Sequence, residues 1–395
     1  MKVHLNALGV INPLGKGKRE VAKRLFEGSR AGLVLRHDLL SERAVRVGEV
    51  PWQLAEVPAR QAHLDCRNNR LALTALQEIE DDIRTVAGRV GPHRIAVLMG
   101  TSTSGIAEGE AAVAQRIAEG AWPAGFRYRR QELGNLASFV ASYLELGGPA
   151  YTIATACSSS AKVFASAQRL IETGFCDAAV VGGADTLCRM TLNGFDSLEA
   201  LAKDYCNPFS RNRDGINIGE GAAIFLMSKE PSAVSLLGVG ESSDAYQFSA
   251  PHPEGDGAVL AMLRALEAAN LKPEQIDYIN LHGTATELND AMEGRAVAKI
   301  FGDRAPCSST KSMTGHMLGA AGANEAAFLW LTLEPQFATG MAPPHIWDGE
   351  ADRSIPRLNL ATTGFRIGFP DRMAALSNSF AFGGSNAAVV LGRGW

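Results

Sequence analysis

The sequence predicts an α/β protein built from two similar halves, and three observations carry that reading. Short apolar runs such as RIAVLMG, AAIFLM and VSLLGVG alternate with helical stretches such as AVLAMLRALEAANL, the pattern of α/β units around a mostly parallel sheet. The halves also resemble each other weakly: RIAVLMGTSTSG and DAAVVGGAD are answered by DYINLHGTATEL and MAALSNSFAFGGSNAAVVLG, as expected of two copies of one unit. Between them SKEPSAVS supplies charge, Pro and Ser around Lys229–Ser235, which sets the units at residues 1–232 and 233–395.

The 395 residues, 46% of them apolar, are enough to bury a large core. A formal net charge of −4 over that length argues against bulk attraction to nucleic acid or anionic membranes. No apolar run is long enough to span a bilayer, and MKVHLNALGVINPLG lacks the apolar stretch of a signal peptide. Cys66, Cys157, Cys176, Cys188, Cys206 and Cys307 are scattered without a Cys-x-x-Cys pair, which points to reduced thiols and a cytoplasmic protein. The glycine-rich stretches make neither a phosphate loop nor a dinucleotide fingerprint.

YTIATACSSSAKVFASAQRLIETG reads as a buried strand, a small-residue turn and a helix, with Cys157 at the turn. There the unpaired N–H groups and dipole of the helix favour thiolate over thiol, and a sharp elbow exposes the sulfur. Taken singly, a free cysteine is more often a small buried hydrophobe. His282 follows the apolar run YINL and so emerges at the C-terminal end of a strand, where α/β proteins place their sites. His316 lies in STKSMTGHMLGAAGANEAAF, a glycine-rich loop leading into a helix. A lone loop histidine is usually structural, but both sit in small-residue turns that allow close backbone approach.

At these residues the chain resembles the elongating β-ketoacyl-acyl-carrier-protein synthases of the thiolase superfamily. The resemblance rests on TACSSS around Cys157, PFSRNRDGINIGEGA at 208–222, HGTAT with Asn289-Asp290 at 282–290, KSMTGHMLGAAG at 311–322 and SNSFAFGGSNA at 377–387. It implies a thiolase-like fold whose two halves form five layers, α-β-α-β-α. It further implies that Cys157 takes an acyl chain from a carrier-protein thioester, while His282 and His316 donate hydrogen bonds to a malonyl thioester as carbon dioxide leaves. The backbone N–H groups of Cys157 and Phe382 would hold the oxyanion of the condensation step.

By the same resemblance Lys311, Glu325 and Asp290 support the site, and Thr284 and Thr286 contact the phosphopantetheine arm. Phe380 and Phe382 belong to a gating loop. Asn280, Glu325, Ser377 and Asn378 form a monovalent-cation site. No resident cofactor is implied, since phosphopantetheine arrives on the carrier protein. The expected partners are that carrier protein and a second copy or a related ketosynthase or chain-length subunit.

An acidic carrier protein calls for basic residues at the cavity mouth. Arg67 and Arg70 share one helix face, and Arg127, Arg129 and Arg130 form a second cluster. Ala381 stands where the family usually has glycine, and because alanine resists positive φ the loop is expected to open differently. Glu287 and Asn217-Ile218 also depart from the family's pattern, which bears on substrate range.

A thiolase would need a second cysteine in the C-terminal glycine-rich loop, which here reads FAFGGSN. A non-catalytic chain-length partner would normally lack the nucleophile. A cysteine hydrolase would need a path for water. CRNNRLAL and NGFDSLEAL resemble specialised, polyene-type synthases more than housekeeping ones.

Overall fold

The computed structural model describes residues 2–395, and it uses one topology twice. Strands β1 (Val3–Asn12), β2 (Ile95–Gly100), β3 (Ala150–Ile153), β4 (Ala178–Asp185) and β5 (Gly221–Ser228) lie in the order β1-β5-β4-β2-β3. Strands β6 (Val234–Ser243), β7 (Tyr278–Asn280), β8 (Pro306–Ser308), β9 (Met373–Phe380) and β10 (Ser385–Arg393) repeat it as β6-β10-β9-β7-β8. The two half-sheets join where β1 and β6 pair antiparallel, Val3 opposite Leu236 and His4 opposite Ser235. The motifs that resemble each other in sequence occupy equivalent places, β2 with β7 and β4 with β9.

Helices α1 (Arg67–Leu76) and α2 (Asn135–Leu144) pack on the outer face of the first half-sheet, and α4 (Asp256–Ala269) packs on the outer face of the second with α5 (Glu287–Phe301) beside it. Between the sheets lie α3 (Ser159–Glu172) and α6 (Ala321–Leu333). Five layers, α-β-α-β-α, result. All thirteen residues of α6 are buried, because AGANEAAFLWLTL has no continuous polar face and can be stable only when covered all round. Its small N-terminal residues let it press on α3: a Cβ on Gly322 would lie 2.7 Å from the backbone nitrogen of Ala161.

The sheet is mixed rather than mostly parallel. The pairs β4–β2, β2–β3, β9–β7 and β7–β8 are parallel, whereas β1–β5, β5–β4, β6–β10 and β10–β9 are antiparallel. In the second half the cause is local: four residues separate β9 from β10, a link that only a hairpin can accommodate. Among the described residues no helix is long and apolar enough to cross a membrane.

Candidate active site

Cys157 sits two residues before α3, after Ala156, whose backbone is left-handed at φ 49. Strand β3 ends at Ile153, so the chain must reverse sharply, and the small side chains of TACSSS permit it. The sulfur, a nitrogen of His282 and a nitrogen of His316 all lie within 4.8 Å of one another. The two imidazoles are edge-to-face, 5.2 Å between ring centres. The nucleophile comes from the first half and both histidines from the second.

Each histidine is held by its backbone and by Nδ1. The N–H groups of His282 and Gly283 both donate to the carboxylate of Glu293, at 2.7 Å each. His316 is clamped by the first half: its N–H donates to the Asn217 carbonyl at 2.7 Å, and its carbonyl accepts from the N–H of Gly219 at 2.9 Å. The N–H of Leu318 donates to Nδ1 of His316 at 3.2 Å, and Nζ of Lys311 lies 3.4 Å from Nδ1 of His282. With Nδ1 accepting, each neutral ring carries its proton on Nε2. Nε2 of His316 is buried and has no hydrogen-bond partner among the described residues.

Burial, reinforced by the charge of Lys311, holds both histidines well below the ordinary imidazole range. They are therefore neutral donors rather than acid–base switches near pH 7. Lys311 pairs with Glu325, and each side chain is only 2% exposed. Burial pushes the Glu325 carboxyl up to about 7 against the pull of the Lys311 ammonium. Cys157 departs from the thiolate expected at a helix N-terminus. Burial pushes its thiol up to about 11, outweighing the Lys311 charge and the N–H groups of Phe382 and Cys157 itself.

A cavity of about 440 Å³ reaches this cluster, lined among others by Cys157, Phe195, Thr284, Thr286, Phe380 and Phe382. The hydroxyls of Thr284 and Thr286 bond to each other at 2.9 Å. Phe380 packs edge-on against His282 at 6.1 Å, and Phe382 lies 5.6 Å from Phe195. Ala381 lies in the extended region at φ −107, so its methyl group meets no backbone strain. The left-handed positions of this loop are Gly383 and Gly384.

The mouth is acidic, against expectation. It exposes Glu199, Asp214 and Glu287, and its one arginine, Arg213, is paired with Asp352 at 2.5 Å. None of the five arginines singled out in the sequence lines the cavity. Arg67 makes a two-pronged pair with buried Glu220, and Arg70 does the same with Asp65. Arg130 donates to the carbonyl of Ala62, which brings the second cluster beside the segment leading into α1. Arg127 and Arg129 are exposed and form no ion pair among the described residues.

Asp290 is buried, pushed up to about 6 by desolvation, and accepts from the N–H groups of Phe209 and Ala285. It pins the HGTAT turn, whose Ala285 is left-handed at φ 66. Glu293 was not singled out in the sequence. Its signal is there: Asp290 and Glu293 stand three apart, hence on one face of a helix that begins at Glu287. The oxygens Asn280 Oδ1, Glu325 Oε2, Ser377 Oγ and Asn378 Oδ1 are all buried without a partner. Asn280 and Ser377 face each other across the β7–β9 ladder.

One topology twice over, with a thiol in the first copy and two hydrogen-bond donors in the second, is the plan of the thiolase-like condensing enzymes. Within that class the chain belongs to the β-ketoacyl synthase family, whose N-terminal domain matches residues 2–233 and C-terminal domain residues 234–345. A 3-oxoacyl-(acyl-carrier-protein) synthase 2 of Synechocystis sp. is 31% identical over 98% of this chain and 97% of its own length. Among solved structures, a chain of the ketosynthase (ApeO) in complex with its chain length factor (ApeC) from Xenorhabdus doucetiae superposes with a TM-score of 0.95. It is 44% identical, over 99% of this chain and 98% of that one. The ishigamide ketosynthase/chain length factor gives 0.87 at 30% identity, over 99% of each.

A raised thiol value has a kinetic signature. Below it, thiolate grows about tenfold per pH unit, so alkylation of Cys157 by iodoacetamide should accelerate about a hundredfold from about pH 7 to pH 9. A flat profile over that range would show that the resting group is already thiolate.

Proposed function

We propose that the chain is a β-ketoacyl-acyl-carrier-protein synthase that condenses a malonyl thioester with an acyl group carried on Cys157. The observation that carries the reading is the meeting of the Cys157 thiol with two Nε2–H imidazoles at the end of one cavity. In the first step the sulfur attacks the acyl thioester carbonyl, and the thiol proton leaves with the released phosphopantetheine thiol. In the second, the malonyl carbon–carboxylate bond breaks, and its electron pair enters an enolate whose oxygen accepts from His282 and His316. Donors fixed in a dry site stabilise that charge without reorganising. The enolate carbon then attacks the acyl-Cys157 carbonyl. Its oxyanion is held by the N–H groups of Cys157 and Phe382 until the thiolate is expelled and reprotonated.

FAFGGSN contains no cysteine to serve a thiolase as its second catalytic thiol, and a chain-length subunit would not need the intact trio. Likeness to chains of two ketosynthase/chain length factor complexes favours a specialised, polyene-type pathway over primary fatty-acid synthesis. Cys157→Ala should abolish condensation, while Cys157→Gln should retain malonyl-carrier decarboxylation, followed as carbon dioxide release. Undiminished condensation by purified Cys157→Ala would overturn the assignment. Transfer of acetyl units without decarboxylation would replace it with the thiolase reading.

The same likeness supports pairing with a related chain-length subunit. Strand β3 is an unpaired sheet edge, and Val113, Ile117, Tyr128 and Met190 expose a continuous apolar surface around the helix Ile106–Glu119. Val113→Asp with Ile117→Asp should convert the assembly to single chains in sedimentation-velocity runs. Unchanged sedimentation would remove this face as the interface.

The residues present also fit a monovalent cation, since Asn280, Glu325, Ser377 and Asn378 offer four buried, unpartnered oxygens. A cation there would neutralise the free oxygen of Glu325 and tie the ends of β7 and β9 together. Exchanging potassium for N-methylglucamine at equal ionic strength should lower the melting temperature, as loss of a ligand of the native state must. Identical melting curves in potassium, sodium and N-methylglucamine would exclude the site.

A further inference from the structure

Asp185 is a fully buried carboxylate that the chemistry above leaves without a role. It ends β4 and accepts five hydrogen bonds at 2.7–2.9 Å. Four reach Oδ1, from the hydroxyls of Thr101 and Thr103 and the N–H groups of Ser102 and Thr103. The fifth, from the N–H of Ala320 at 2.9 Å, reaches Oδ2, which the Ser102 N–H also approaches at 3.1 Å. Burial raises its carboxyl and these donors oppose the rise.

The partners belong to two segments that meet beside the catalytic cluster. One is the turn leaving β2. The other is the turn that follows His316, where Leu318 is left-handed at φ 47 and its N–H holds Nδ1 of His316. The two turns are in direct contact, because a Cβ on Gly319 would lie 2.8 Å from the backbone nitrogen of Ser102. Among the described residues, Asp185 is the side chain that hydrogen-bonds both turns at once.

We propose that Asp185 is a positioning residue for His316. It anchors the N–H of Ala320 and so holds the strained turn that presents the Leu318 N–H to Nδ1. That contact keeps the ring proton on Nε2, facing the cavity. The inference rests on the ketosynthase reading, in which His316 donates from Nε2. Loss of the clamp frees Nδ1 to take the proton in the other neutral tautomer, which leaves Nε2 without a hydrogen. Acyl loading of Cys157 does not use that donor and is spared.

Asp185→Asn is the test, because it keeps the shape while turning an NH₂ group toward the N–H of Ala320. In a Cys157→Gln background, malonyl-carrier decarboxylation should fall about tenfold or more near neutral pH. The ¹⁵N signals of the His316 ring should show its proton moved from Nε2 to Nδ1, and the loss should persist from about pH 8 to about pH 6, since burial and the Lys311 charge keep the ring neutral there. In the Cys157 background, acyl loading, read by mass spectrometry, should stay within about twofold. Thr103→Val, which removes one hydroxyl donor and keeps the volume, should move decarboxylation the same way by less. It serves if Asp185→Asn does not fold.

Equal losses in both half-reactions, or a His316 ring proton still on Nε2 in a folded variant, would reduce Asp185 to a structural anchor and overturn the proposal. Failure of the wild-type and Cys157→Gln proteins to load or decarboxylate is a separate result, and it would count against the ketosynthase reading itself.

Discussion

The charge of Lys311, buried between His282 and Glu325, organises the electrostatics of the site. It discourages protonation of both imidazoles and draws the Cys157 thiol downward against burial. A lone ammonium could not stay in that position, and Glu325 supplies the opposite charge. Glu325 in turn stands on α6, the helix buried on every side between the two half-sheets. The polar cluster thus depends on the most apolar layer of the molecule, and the five-layer arrangement keeps water from screening it.

The division of labour between the halves follows from the duplicated topology. The loops after β3 and β8 are equivalent, and each feeds a helix of the central layer, α3 or α6. In the first copy the loop delivers Cys157; in the second it delivers Lys311 and His316. His282 comes from the loop after β7 and the Phe380–Gly384 segment from the hairpin after β9. All of them open on the same side because strand ends of one polarity converge there.

Much of this was legible in the sequence because its signals are local. Apolar runs marked β2, β4, β5, β6, β9 and β10, and small-residue turns marked the elbows at Cys157, His282 and His316. The mixed sheet was not legible, since strand direction is settled by partners far away in the chain. Nor was the inward turn of Arg67, whose partner Glu220 lies 153 residues on. The acidity of the mouth arises from Glu199, Asp214 and Glu287, three separate segments that only the fold brings together. Glu293 was hidden by its neighbour Asp290: the helix spacing was readable, but which carboxylate faced the His282 turn was not. The state of Cys157 depended on the depth of its burial, which residue order does not specify.

Left-handed backbone occurs at Ala156, Ala285 and Leu318, within three residues of Cys157, His282 and His316 respectively. Side chains with a Cβ occupy such conformations at a cost of about 1–3 kcal/mol each, and the dense packing around them sustains it. The same three positions are therefore where thermodynamic robustness and catalytic geometry pull apart. Glycine would relax the backbone at any of them and in doing so free the very turns that aim the reacting groups. A thermally hardened variant of this fold gains its stability more safely in the outer helices α1, α2 and α4.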